Sequence, residues 1–191
     1  MKILLINGSP KSGQSSCALM LSALVKDISK NNQILTVNLA DKNLHHCRGC
    51  YSCWTNSRGC VIDDDFNDII QSAENTDLIV FATPVYFGNV SGLFKNFIDR
   101  LTSTGNPHAE VKLGAPKFVM LSNCGYPSEK EFEIISLWIN KFVTSMKSEL
   151  LGEFYYPNGK RLKDVNDLDS QTYLKHLAQS GKEIQAAYTG S

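Results

Sequence analysis

Short runs of unbroken apolar residues punctuate the chain at Ile3 to Ile6, Leu78 to Ala82 and Phe118 to Leu121. Each is too short for a helix, and Asn7-Gly8 and Thr83-Pro84 stop the first two, so they read as strands buried on both faces. Ile34 to Leu39 alternates and Leu150 to Tyr156 mixes apolar with polar residues, which suits strands nearer the edges of a sheet. Between these runs the spacing is helical. Ala18, Leu21, Leu24, Val25 and Ile28 share one face, as do Phe94, Phe97, Ile98 and Leu101. Phe132, Ile135, Ile139, Phe142 and Met146 form the longest stripe, and Leu174, Leu177, Gly181, Ile184 and Tyr188 the last. A weaker helix follows the acidic triplet, with Asp64 or Asp65 capping Phe66 to Ala73.

Strand and helix therefore alternate through five units. Parallel neighbours need long right-handed crossovers, so the fold class is α/β: a doubly wound, five-stranded parallel sheet of order 2-1-3-4-5 with helices on both faces. Ligands of such sheets bind beyond the carboxyl ends of the strands, where the order reverses, which points to the loops after Ile6, Ala82 and Leu121. At 191 residues and 42% hydrophobic, the chain suits one domain spanning 1–191. A cysteine-rich insertion occupies about 43–63, and the polar segment Asn158 to Ser170 reads as a surface connection to the last helix.

Charge narrows the partners. Nineteen basic side chains balance nineteen acidic ones, which argues against nucleic acid and anionic membranes and makes a small molecule the default partner. Four apolar residues between Lys2 and Asn7 are too few for a signal-peptide core, and no run has membrane-spanning length, so a cytoplasmic location is expected.

Gly8-Ser9-Pro10-Lys11-Ser12-Gly13-Gln14-Ser15-Ser16 follows a buried strand and opens an amphipathic helix, a setting in which backbone N–H groups and hydroxyls hold phosphate. A nucleotide-triphosphate P-loop is disfavoured. Gln14 stands where that motif needs lysine, and no acidic residue closes the strand at Leu78 to hold magnesium. Nor does the loop spell the dinucleotide Gly-x-Gly-x-x-Gly fingerprint. The second loop, Pro84-Val85-Tyr86-Phe87-Gly88, supplies a stiff, aromatic, largely apolar wall of the kind a flat ring needs, unless its aromatics merely pack on the next helix.

Gly8 to Lys11, Pro84 to Gly88 and Lys95-Asn96-Phe97-Ile98-Asp99-Arg100 together resemble the NADPH-dependent FMN reductase branch of the flavodoxin-like superfamily over about two thirds of the chain. The resemblance implies that Ser9, Lys11, Gln14, Ser15 and Ser16 hold an FMN phosphate. It places Pro84, Val85, Tyr86, Phe87 and Gly88 against the isoalloxazine, and Asn123, Cys124 and Gly125 at its other edge. Gln14 replaces the asparagine and Lys11 the arginine of many relatives; both still donate to phosphate, lysine as a point charge. Lys95 and Asp99 are four apart and read as a solvated helix pair.

Four of the six cysteines, Cys47, Cys50, Cys53 and Cys60, crowd into one loop, with Gly49 and Gly59 giving its backbone freedom to wrap. Such a set suits an iron-sulfur cluster, tetrahedral zinc, or plain thiols, and the spacing leaves all three open. It resembles the compact motif of the iron-sulfur flavoproteins, which implies a 4Fe-4S cluster beside FMN. His45 and His46 read as exposed loop residues, Cys17 as core, Cys124 as a cleft residue, and Trp54 as either a shield or a subunit contact.

The resemblance implies flavin-based chemistry with no catalytic side chain: NAD(P)H reduces FMN transiently, and a quinone, nitro compound or other small acceptor takes the electrons. The alternative is an electron carrier in which a cluster takes electrons from ferredoxin. A flavin-free binding domain ranks third. A homodimer or homotetramer is the family expectation.

Overall fold

β1 (Lys2–Asn7) forms because Ile3 to Ile6 present apolar side chains to both faces, and it takes an interior position next to one edge strand of the sheet. The computed structural model describes residues 1–110 and 113–189. After β1 come α1 (Ser16–Val25), β2 (Gln33–Asn38), α2 (Ser52–Thr55), α3 (Phe66–Ser72), β3 (Leu78–Tyr86), β4 (Asn89–Val90) and α4 (Gly92–Arg100). β5 (Lys117–Asn123), α5 (Glu133–Ser145), β6 (Leu150–Tyr156) and α6 (Leu168–Thr189) complete the chain. The sheet runs β2-β1-β3-β5-β6 with every one of these pairs parallel, which is the doubly wound, flavodoxin-like order expected from the alternation. β4 is a short return paired antiparallel to the end of β3, Val85 opposite Val90. Two residues carry no periodicity, so the sequence could not announce it.

The period of two along β1 divides the core. Ile3 and Leu5 pack with α1 and α6, whereas Leu4 and Ile6 pack with α3, α4 and α5. α1 and α6 approach so closely that a Cβ on Gly181 would lie 1.9 Å from the Leu24 carbonyl oxygen. α1 stops at Val25, and the buried Ile28 belongs to the connection after it rather than to the helix. α6 starts at Leu168, inside the stretch expected to be a connection, because its first turn is polar: buried Ser170 bonds the Tyr156 hydroxyl at 2.8 Å. No helix among the described residues is long and apolar enough to cross a membrane.

Candidate functional site

At the carboxyl end of β1, Asn7 is wholly buried and organises the first loop. Its Nδ2 donates to the Ser12 carbonyl at 2.9 Å and to Asn38 Oδ1 at 3.0 Å, while its Oδ1 accepts from the Ser9 N–H at 3.1 Å. The loop makes one turn over Ser12–Gln14 and then enters α1, whose N-cap is Ser15: its hydroxyl accepts from the Ala18 N–H at 3.0 Å and donates to the Ser12 carbonyl. The positive amino end of α1 thus lies beside this loop. The second loop is tied to the first through Ser91, which donates to the Gly8 carbonyl at 2.6 Å and caps α4 by accepting from Phe94.

These loops enclose a cleft of about 340 Å³, within the range of cofactor sites. One end is hydroxyl-rich and cationic, with Ser9, Ser16 and Lys11; the other is apolar, with Pro84, Val85 and Tyr86. Of the residues expected from the sequence, Ser9, Lys11, Ser15, Ser16, Pro84, Val85, Tyr86, Asn123, Cys124 and Gly125 line this cleft. Gln14, Phe87 and Gly88 are not among its lining. Gln14 points outward and its carbonyl accepts from Lys163, while Phe87 is fully exposed at φ +50° on the turn that returns into β4. The donor set fits FMN: hydroxyls and ammonium groups for a phosphate, a flat apolar wall for a ring.

The sequence reading missed Gly159, Lys160 and Lys163, which also line the cleft. Gly159 is the clasp. Its N–H donates to the Cys124 carbonyl at 2.7 Å, and its carbonyl accepts from the Ser16 hydroxyl at 2.7 Å. The turn dipeptide Asn158-Gly159 was the available signal, but nothing local shows that this turn folds back onto the first loop. Cys17 is buried as expected, and it also borders the cleft. Burial pushes its thiol up to about 12, against the opposing hydrogen bond from Asn123, so it stays neutral.

The cysteine loop forms a second cavity of about 270 Å³, lined by Cys47, Cys50, Cys53 and Cys60 together with Arg100. Gly49 and Gly59 both take positive φ within it, at +62° and +88°. The loop is fastened at several points. Asn106, itself buried, donates to the Cys53 carbonyl at 2.8 Å and the Asn56 carbonyl at 2.9 Å, and Asn67 donates to the Cys60 carbonyl at 2.7 Å. Asp64 accepts from the His45 N–H at 2.8 Å and from the Phe66 N–H at 3.1 Å, so it does meet the start of α3; its main engagement is with Arg100. Burial would raise the Asp64 carboxyl, but the guanidinium and these N–H donors outweigh it and hold it below the usual carboxylate range.

The thiols differ from one another. The Ser52 hydroxyl and N–H beside Cys50 draw its thiol below the ordinary value, whereas burial and then the neighbouring Cys60 thiol push Cys53 up. His45 and His46 are exposed, and the Lys95–Asp99 pair is solvent-facing at 2.5 Å, as expected. Among the described residues no three histidine, cysteine or carboxylate groups converge on a point where one ion would sit. Four thiols lining one cavity form a donor set of the kind that holds an iron-sulfur cluster or tetrahedral zinc.

The NADPH-dependent FMN reductase family model matches residues 1–127. An iron-sulfur flavoprotein of Archaeoglobus fulgidus is 31% identical over 190 residues, 98% of this chain and 80% of that protein. A second one from the same organism is 33% identical over 119 residues, 61% of this chain and 57% of that relative, so the chain spans little more than half its length. In structure the chain is similar to an NAD(P)H:quinone oxidoreductase from Methanothermobacter marburgensis, with TM-score 0.70 at 13% identity over 96% of this chain and 98% of that one, a likeness of fold. By the matched residues and the flavodoxin-like fold, the chain belongs to the NADPH-dependent FMN reductase family.

Proposed function

We propose that this protein is an FMN-dependent oxidoreductase that also holds a 4Fe-4S cluster, with FMN in the cleft at the ends of β1, β3 and β5 and the cluster in the cysteine cavity. The observation that carries the reading is that Cys47, Cys50, Cys53 and Cys60 line one cavity. Bound FMN supplies exchange of hydride and single electrons, and a bound cluster supplies exchange of single electrons.

The chain's own residues bind, orient and exclude water. Lys11 and the Ser9 hydroxyl hold the phosphate, with Lys160 and Lys163 adding positive charge at the same end, while the Ser16 hydroxyl is engaged with the Gly159 carbonyl. Pro84, Val85 and Tyr86 keep one wall apolar, and Asn123 to Gly125 border the opposite edge. The cysteine cavity lies at the carboxyl end of α4, whose amino end is tied to the first loop through Ser91. No side chain is assigned acid or base work.

Exchange of Cys50 or Cys53 for serine is the test. Iron content of anaerobically reconstituted protein should fall to background while FMN stays bound; unchanged iron would overturn the cluster assignment. A second reading, direct reduction of FMN by NAD(P)H with a quinone or nitro compound as acceptor, is favoured by the open mouth of the cleft, where Tyr86 and Tyr126 are exposed. Rapid bleaching of FMN by NADPH in the cysteine variants supports it, and bleaching only by reduced ferredoxin in the parent protein favours the carrier role. Exposed Trp54, Phe87 and Tyr126 suit contacts in a homo-oligomer.

A further inference from the structure

Arg100, the last residue of α4, is 1% exposed and is the largest fully buried side chain among the described residues. Its guanidinium grips Asp64 with both ends of the fork, Nη1 to Oδ2 at 2.6 Å and Nη2 to Oδ1 at 2.8 Å. It also donates to the His45 carbonyl at 3.2 Å and lies 4.3 Å from the centre of the Phe66 ring. Nη2 further donates to Cys60 Sγ at 3.4 Å, and the side chain lines the cysteine cavity. Nε is buried with no hydrogen-bond partner among the described residues.

A pair serving stability alone accounts poorly for this arrangement. Buried ion pairs are about as stable as well-packed apolar replacements, and a stranded buried donor adds a further cost. A guanidinium with one N–H on a sulfur and another unpartnered is suited to meet negative charge at the thiolate side of that cavity.

We propose that Arg100 is a positioning and tuning residue for the cluster: it fixes Cys60 and, by donating to its sulfur, raises the cluster's reduction potential, while Asp64 fixes the guanidinium and moderates its charge. The inference rests on the cluster reading given above. Its direction is set by electrostatics. A cluster gains negative charge on reduction, so a donor and a positive charge at a ligand sulfur favour the reduced form.

The test is a redox titration of the anaerobically reconstituted holoprotein, followed by visible and EPR spectra, beside iron and FMN assays. Arg100→Gln should keep FMN and make reduction of the cluster about tenfold less favourable, a negative shift of about 59 mV for one electron. Arg100→Lys, which keeps the charge without the fork, should fall between. Asp64→Asn leaves the sulfur donor and removes its counter-charge, so its potential should move the opposite way; this variant decides the matter if Arg100→Gln assembles no cluster. Potentials equal to the parent's in the variants that hold a cluster overturn the inference. Absence of iron from the reconstituted parent overturns the cluster reading instead.

Discussion

Gly159→Ala probes the cleft at the point where three segments of chain meet. A Cβ there would lie 2.6 Å from Asn123 Oδ1 and 2.9 Å from Asn123 Cβ. Ordinary carbon contacts are about 3.5–4.0 Å, so Asn123 or the turn must retreat by roughly 0.6–1 Å. Asn123 cannot swing away freely, because its Nδ2 donates to Cys17 Sγ at 3.0 Å. The turn is held as well, since the Gly159 N–H and carbonyl are both engaged at 2.7 Å. Overpacking of this kind costs about 1–3 kcal/mol, and in a chain of this size each kcal/mol lowers Tm by about 2–4 °C, so a fall of roughly 2–12 °C is expected. Retreat of the turn also carries Lys160 and Lys163 away from the phosphate end. If about 1.4 kcal/mol of FMN binding is lost with them, affinity drops about tenfold. Thermal unfolding of the apoprotein and quenching of FMN fluorescence measure the two effects. A variant with parental Tm and parental FMN affinity would refute the clasp.

Gly181→Ala should be more destabilising than Gly159→Ala. Its Cβ would sit 1.9 Å from the Leu24 carbonyl oxygen, so α6 must lift from α1; a gain of about 1 kcal/mol in helix propensity does not offset a loss of roughly 3 kcal/mol or more, read by urea unfolding. The Asp64 carboxyl is held below its unfolded value of about 3.9, so its stabilising contribution is fully present above about pH 4 and is lost as pH falls through the lower folded value. Asp64→Asn should therefore flatten the acid limb of the stability profile and cost about 3–5 kcal/mol at pH 7, since it leaves Arg100 buried without its counter-charge. An unchanged acid limb would count against the pair.

How much of this was legible in the sequence depended on whether a feature is local. β1, β3 and β5 are buried on both faces, and their unbroken apolar runs announced them. The edge strands β2 and β6 showed weaker patterns because one side of each meets solvent or a sparse layer. The first loop was readable because it follows a strand and opens a helix. Gln14, Phe87 and Gly88 are contiguous with cleft residues yet do not line the cleft, and no neighbour in sequence reveals which loop residues will. Gly159, Lys160 and Lys163 reach the cleft only through the packing of β6 beside β5. The four cysteines were visible as a group. Arg100, by contrast, read as one more charged residue near a helix end, and only the tertiary structure buries it against Asp64 and Cys60.

The most direct test of the central claim is an absorption spectrum of anaerobically purified and reconstituted protein, with iron and flavin assayed on the same sample. One FMN per chain and about four irons are expected, the content of one cubane held by four cysteines. FMN without iron after reconstitution would contradict that claim, and would leave a flavin reductase whose cysteine loop carries thiols alone.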